Sequence, residues 1–159
     1  MKYLIGVIQL DSQNDKRRNL EQVCAYIDEA AQRGVRMVAF PEVMNLIGDN
    51  VSEGGDSEDI PGYTTDILAN KAREHKIFIH CGSIREAIPG DSRSYNTSVI
   101  LDDMGKVIAK YRKLHTFDVS LADGTVANES AKILPGKEIV VADTSLGRHP
   151  KYGVCCTRS

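Results

Sequence analysis

The sequence predicts an α/β fold resting on a parallel sheet, and three consecutive stretches predict it. Residues 3–10 (YLIGVIQL) are a short apolar run rich in branched side chains, bounded by the turn-forming DSQND, which is the pattern of a buried strand. A helical repeat follows. Leu20, Val23, Cys24, Ile27, Ala30 and Ala31 fall on one face, Asn14 or Asp15 can cap its start, and Gly34 supplies its stop. Residues 35–40 (VRMVAF) make a second strand, interrupted at once by Pro41. Strand, helix and strand in that order imply a right-handed crossover between parallel neighbours.

The later elements are read in the same way. Residues 45–62 are long, acidic and glycine-bearing, as functional or mobile loops are. A second helix is expected over about 64–75, then a strand from Ile77 (IFIHCGS) and a polar segment, EAIPGDSRS. Residues 95–101 (YNTSVIL) and 106–111 (KVIAKY) read as two strands joined by the turn DDMGK, in which Gly105 supplies backbone freedom. Residues 115–137 look irregular, and 138–143 (EIVVAD) look like a last strand.

Composition bounds the function. The 159 residues suit one domain, and 42% hydrophobic with 26% charged is a globular balance. Twenty Lys and Arg against 22 Asp and Glu give a net charge of -2, which points away from nucleic acid and membrane surfaces and toward a small organic partner. The opening MKYLIGVIQLDS has one Lys before a short apolar run that Gln9 and Asp11 end too soon for a secretory leader or a span, so a cytoplasmic protein is expected. The four cysteines, at 24, 81, 155 and 156, make no CxxC pair and have no paired histidine spacing, so no disulfide framework or metal site is signalled. No GxGxxG or Walker-type loop follows the first strand, which disfavours a nucleotide-binding domain.

Three places carry chemistry. Glu42, in AFPE, sits beyond the carboxyl end of a buried strand, where open α/β sheets collect ligands and a shielded carboxylate can act as a general base; an exposed loop Glu or helix cap would look the same. In KYRKLH, strand alternation puts Lys113 on the face of Val107, Ala109 and Tyr111, expected to be the core face, with Lys110 and Arg112 on the other. An inward ammonium needs a carboxylate partner or a chemical role. The tail KYGVCCTRS sets Cys155 and Cys156 side by side, and only one can face a site where a base and an ammonium would activate it; packing alone would also explain a pair of thiols.

Taken in order, FPE, YRKLH and a G-V-C-C strand, with NES and LPG between, resemble the nitrilase superfamily of carbon–nitrogen hydrolases. NTSVILDDMGKVIAKYRKLHTFD and ANESAKILPG are similar to the amidase branch that includes omega-amidases and deaminated-glutathione amidases. The resemblance implies the N-terminal part of a four-layer αββα sandwich. It also implies Glu42 as general base, Lys113 as the cation for the oxyanion, a cysteine near the end as nucleophile and Glu129, in NES, as a second glutamate that positions substrate and Lys113. The implied reaction takes a small carboxylate-bearing amide to acid and ammonia through a thioester, with no cofactor or metal. Arg85, Arg93 and Arg112 are candidates to hold the substrate carboxylate, with a solvated surface charge as the alternative for each, and a homo-oligomer is left open because family members commonly pair subunits.

The tail departs from the family spacing. Gly, three residues and then Cys would put the nucleophile at position 157, which is Thr157; Cys156 falls one residue early, and a bulge would bring it into line. The family fold continues well beyond this point, so the sequence reads as an incomplete domain with an exposed sheet edge. Two readings follow: a thiol amidase with Glu42, Lys113 and Cys156, or a non-catalytic remnant of the same fold.

Overall fold

Apolar spacing and capping decide where the first helix lies. In the computed structural model, which describes residues 2–47, 57–124 and 126–149, helix α1 (Lys16–Gln32) starts where the Asp15 side chain accepts the Arg18 N–H at 3.0 Å. It buries Leu20, Val23, Ile27 and Ala30, one residue per turn along one stripe, and stops before Gly34 at φ +75°. Helix α2 (Tyr63–His75) buries Thr65, Leu68, Ala69 and Ala72 in the same rhythm. Its start is closed by Thr65, whose hydroxyl accepts the Gly62 N–H at 2.7 Å.

Strands β1 (Leu4–Val7), β2 (Val35–Ala39) and β3 (Phe78–His80) pair in parallel, as the strand–helix–strand order requires. Strands β4 (Ile84–Ala87), β5 (Ser94–Leu101) and β6 (Val107–Arg112) continue the sheet antiparallel. The eight-residue β5 is the hub. It pairs β3 and β4 along one edge and β6 and the short β9 (Ile133–Leu134) along the other. Helices α1 and α2 pack together on one face, where Val38, Ile79, Ile84, Val99 and Leu101 meet Val23, Ile27 and Leu68. Each such fully buried aliphatic side chain contributes about 1.5–3 kcal/mol. Two small hairpin-like pairs complete the described chain: β7 (Asp118–Ser120) with β8 (Val126–Asn128), and β10 (Ala142–Thr144) with β11 (Gly147–His149). Among the described residues no helix is long and apolar enough to cross a membrane.

Several expectations change. The first strand is shorter than residues 3–10 and is not buried: it ends the sheet, and Leu4, Ile5 and Val7 are 60%, 48% and 83% exposed. An apolar run reports what a strand can bury, not whether a neighbour arrives on its outer edge. The stretch IFIHCGS is broken after His80 by irregular residues 81–83, and β4 begins at Ile84 and ends inside what looked like a polar segment. The expected strand over 138–143 is irregular as far as residue 141, because pairing is dictated by the turn at residues 145–146 and so begins at Ala142. Residues 115–137, expected to be irregular, hold β7, β8, a 3₁₀ turn (Glu129–Ala131) and β9. Val107 parts from Ala109 and Tyr111: the β5–β6 register slips between Ile100 and Leu101, so Val107 joins the helix-side core while Ala109 opposes Ile100 on the other face.

The polar β4 is possible because its one buried charge is saturated. Glu86 is 5% exposed and accepts both Arg112 Nε and Nη2 at 2.8 Å, Lys110 Nζ at 2.7 Å and the Thr97 hydroxyl at 2.8 Å. Burial alone would raise this carboxyl, but the Arg112, Lys110 and Thr97 hydrogen bonds reverse the shift and bring it down from 4.5 to about 2. Glu86→Gln is expected to cost about 2 kcal/mol at neutral pH by urea denaturation, since it removes charge-assisted bonds to partners that can still reach water. A depressed carboxyl stabilises above its unfolded value and loses that effect as pH falls toward about 2, so the two stability curves should converge there. Parallel curves across that window would refute the ion-pair account.

Candidate active site

The loop after β2 presents Glu42 because it is held from below. Gly82, at φ +59°, passes so close to this loop that a Cβ there would lie 1.8 Å from the Pro41 carbonyl oxygen. Next to it, the Ser83 hydroxyl accepts the Val43 N–H at 2.9 Å and the Ser83 carbonyl accepts the Met44 N–H at 3.1 Å. Between these anchors Val43 is forced to φ +52°. A β-branched residue is disfavoured there by roughly 1–3 kcal/mol and persists only where its surroundings over-determine it. The strained residue immediately follows Glu42.

Lys113 arrives from the end of β6. Its N–H donates to the Asn96 carbonyl at 2.8 Å and its own carbonyl accepts the Gly136 N–H at 2.8 Å, so the backbone is clamped on both sides. The side chain is 3% exposed, and its ammonium donates to Glu129 Oε1 at 3.0 Å, Glu129 Oε2 at 2.9 Å and Glu42 Oε1 at 3.2 Å. Burial alone would lower this ammonium; the Glu129 hydrogen bonds and the charges of Glu42 and Glu129 outweigh it and hold it above the ordinary lysine value. Glu129 is itself fixed by the Phe117 N–H, which donates to its Oε2 at 2.5 Å.

These groups line a cavity of about 780 Å³ on the sheet face opposite the helices. Arg85, Asn96 and Lys132 add polar walls, and Val43, Phe117 and Ile133 add apolar ones. Asn96, 5% exposed, donates from Nδ2 to Glu42 Oε1 at 2.5 Å. Of the three arginines singled out in the sequence, only Arg85 lines this cavity. Arg93 is bonded to Asp91 at 2.7 Å, and Arg112 is bonded to Glu86 on the helix side. Neither Arg85 nor Lys132 has a side-chain ion-pair partner among the described residues.

Sequence reasoning missed Asn96 and Lys132. The hairpin-like pairing of YNTSVIL with KVIAKYRK carried a signal for Asn96, because it sets residue 96 opposite residue 113. Cys155, Cys156 and Thr157 lie outside the described residues. Cys24 is half-buried and burial raises its thiol, and Cys81 is fully buried with its thiol pushed far up, as packing cysteines are.

Residues 4–158 match the carbon-nitrogen hydrolase family. The chain belongs to that family. It is 33% identical over 163 residues to the chloroplastic omega-amidase of Arabidopsis thaliana, covering 97% of this chain and 42% of that protein. It superposes on the Caenorhabditis elegans NitFhit protein with a TM-score of 0.81 at 29% identity, over 92% of this chain and 36% of that one. Saccharomyces cerevisiae Nit3, described as a member of branch 10 of the nitrilase superfamily, gives 0.75 at 28% identity, over 91% of this chain and 52% of that one. The chain spans about half the length of the curated relatives it matches, 42% and 54% in two omega-amidases. The α/β fold expected from the sequence, the N-terminal part of a nitrilase-like αββα sandwich, is thus borne out, with one helical layer on one seven-stranded sheet and two two-stranded pairs among the described residues.

The anchor under Glu42 can be tested by comparing two glycines. Gly82 and Gly90 both have φ above +50°, but a Cβ at Gly90 meets nothing within 4 Å. Gly90→Ala should cost about 1 kcal/mol and Gly82→Ala at least about 3 kcal/mol in chemical denaturation. Equal losses would mean that close approach to Pro41 does not hold this loop.

Proposed function

We propose that this carbon-nitrogen hydrolase family chain is a thiol amidase that cleaves a small carboxylate-bearing amide to a carboxylic acid and ammonia. The observation that carries the reading is the buried Lys113 ammonium, bonded to Glu42 and Glu129 together at the wall of a cavity large enough for a small ligand. Glu42 takes the thiol proton of Cys156, and the sulfur bonds to the amide carbon. The negative charge that develops on the carbonyl oxygen is met by the Lys113 ammonium, whose raised affinity for its proton keeps it charged. Protonated Glu42 then returns the proton to the nitrogen, the C–N bond breaks, ammonia leaves and a thioester remains. Glu42 next deprotonates a water, which releases the acid and restores the thiol. Glu129 orients Lys113.

Arg85 and Lys132 support the carboxylate-bearing substrate class. They are cations on the cavity wall with no ion-pair partner among the described residues, and a carboxylate on the substrate would satisfy them. A cytoplasmic location and self-association complete the reading; the exposed β1 edge supports the second.

Ammonia release from a series of short dicarboxylic monoamides tests the proposal. Glu42→Gln, Lys113→Ala and Cys156→Ser should each lower turnover by about 10²-fold or more. Arg85→Leu should raise KM for these substrates by about tenfold while leaving an uncharged amide unaffected. No turnover from protein shown to be folded would instead support the non-catalytic remnant.

A further inference from the structure

Glu42 is held asymmetrically. Its Oε1 receives two donors, Asn96 Nδ2 at 2.5 Å and Lys113 Nζ at 3.2 Å, whereas no described residue donates to Oε2. Both donors stand at one position of the sheet, because the Asn96 carbonyl also holds the Lys113 N–H at 2.8 Å. A carboxylate oxygen with two donors, one of them cationic, has its lone pairs engaged. The other oxygen has no donor among the described residues, so its lone pairs are free to accept one.

The rest of the Asn96 amide serves no one. Its Oδ1 is buried and has no hydrogen-bond partner among the described residues. Turning the amide over would set Oδ1 against the ionised Glu42 oxygen, so the orientation with an orphaned acceptor is the one the carboxylate enforces. A leucine has nearly the same shape as asparagine and would leave nothing unpaired. A buried, half-satisfied amide at this place therefore points to the Nδ2 donation as its role.

We propose that Asn96 is a positioning residue that makes Glu42 a one-sided base, pinning Oε1 together with Lys113 so that Oε2 alone receives the proton. The inference rests on the reading of Glu42 as the general base. Asn96 acts through Glu42, and its backbone register couples the orientation of that carboxylate to the placement of Lys113.

Asn96→Leu, assayed on the monoamide series beside the unaltered chain, is the test. The expected result is a melting temperature within about 2 °C of the unaltered chain or above it, with kcat lower by about tenfold or more and KM changed by less than about threefold. Unchanged kcat would overturn the proposal, as would a large fall in melting temperature with kcat and KM altered together, since that is what a merely structural residue would give. If the unaltered chain releases no ammonia, the amidase reading fails by itself and Asn96 is judged by NMR instead. The side-chain amide nitrogen of Asn96, labelled with nitrogen-15, should then shift in Glu42→Gln, and an unmoved signal would overturn the proposal.

Discussion

Burying one ammonium organises this molecule. Lys113 cannot stay charged at 3% exposure unless carboxylates and hydrogen bonds replace the water it has lost. Two segments far apart in sequence meet that demand, the loop after β2 with Glu42 and the 3₁₀ turn after β8 with Glu129. Their convergence gives the residues after β6 a fixed place, although they contribute few apolar contacts. The polar contact orders the cavity wall, and the hydrophobic core on the other face orders the sheet beneath it.

The strand β5 shows how one sheet separates structural from chemical charge. Its odd-numbered residues Tyr95, Thr97, Val99 and Leu101 share the helix side with Glu86, and Asn96 shares the opposite face with Arg85 and Lys113. The two carboxylates served by these faces differ in kind. Glu86 has donors on both oxygens, among them a bidentate guanidinium, which suits a permanent ion cluster. Glu42 has donors on one oxygen, stands partly open to a cavity and sits beside a strained Val43. One carboxylate is saturated by its donors, and the other keeps an oxygen to which no described residue donates.

Local patterns in the sequence determined much of this. Helix α1 was legible from its apolar stripe, a cap at Asn14 or Asp15, of which the structure uses Asp15, and Gly34, because each of those signals acts within a few residues of the backbone it governs. Alternation in KYRKLH correctly parted Lys113 from Lys110 and Arg112, because side-chain direction along a strand has a period of two. Glu42, Lys113 and Glu129 were legible as a set through their resemblance to a family of hydrolases, and the family match over residues 4–158 agrees with the family named.

The tertiary structure alone decided what depends on neighbours distant in sequence. It left β1 exposed at the end of the sheet, carried Val107 to the core through a register slip, and began the last pairing at Ala142 instead of residue 138. It also chose among three arginines, bringing Arg85 to the cavity and tying Arg93 and Arg112 to carboxylates, and it brought Asn96 against Glu42. Secondary structure is a property of short stretches, whereas an ion pair, a cavity wall or a strand edge exists only once the sheet has put separate stretches side by side.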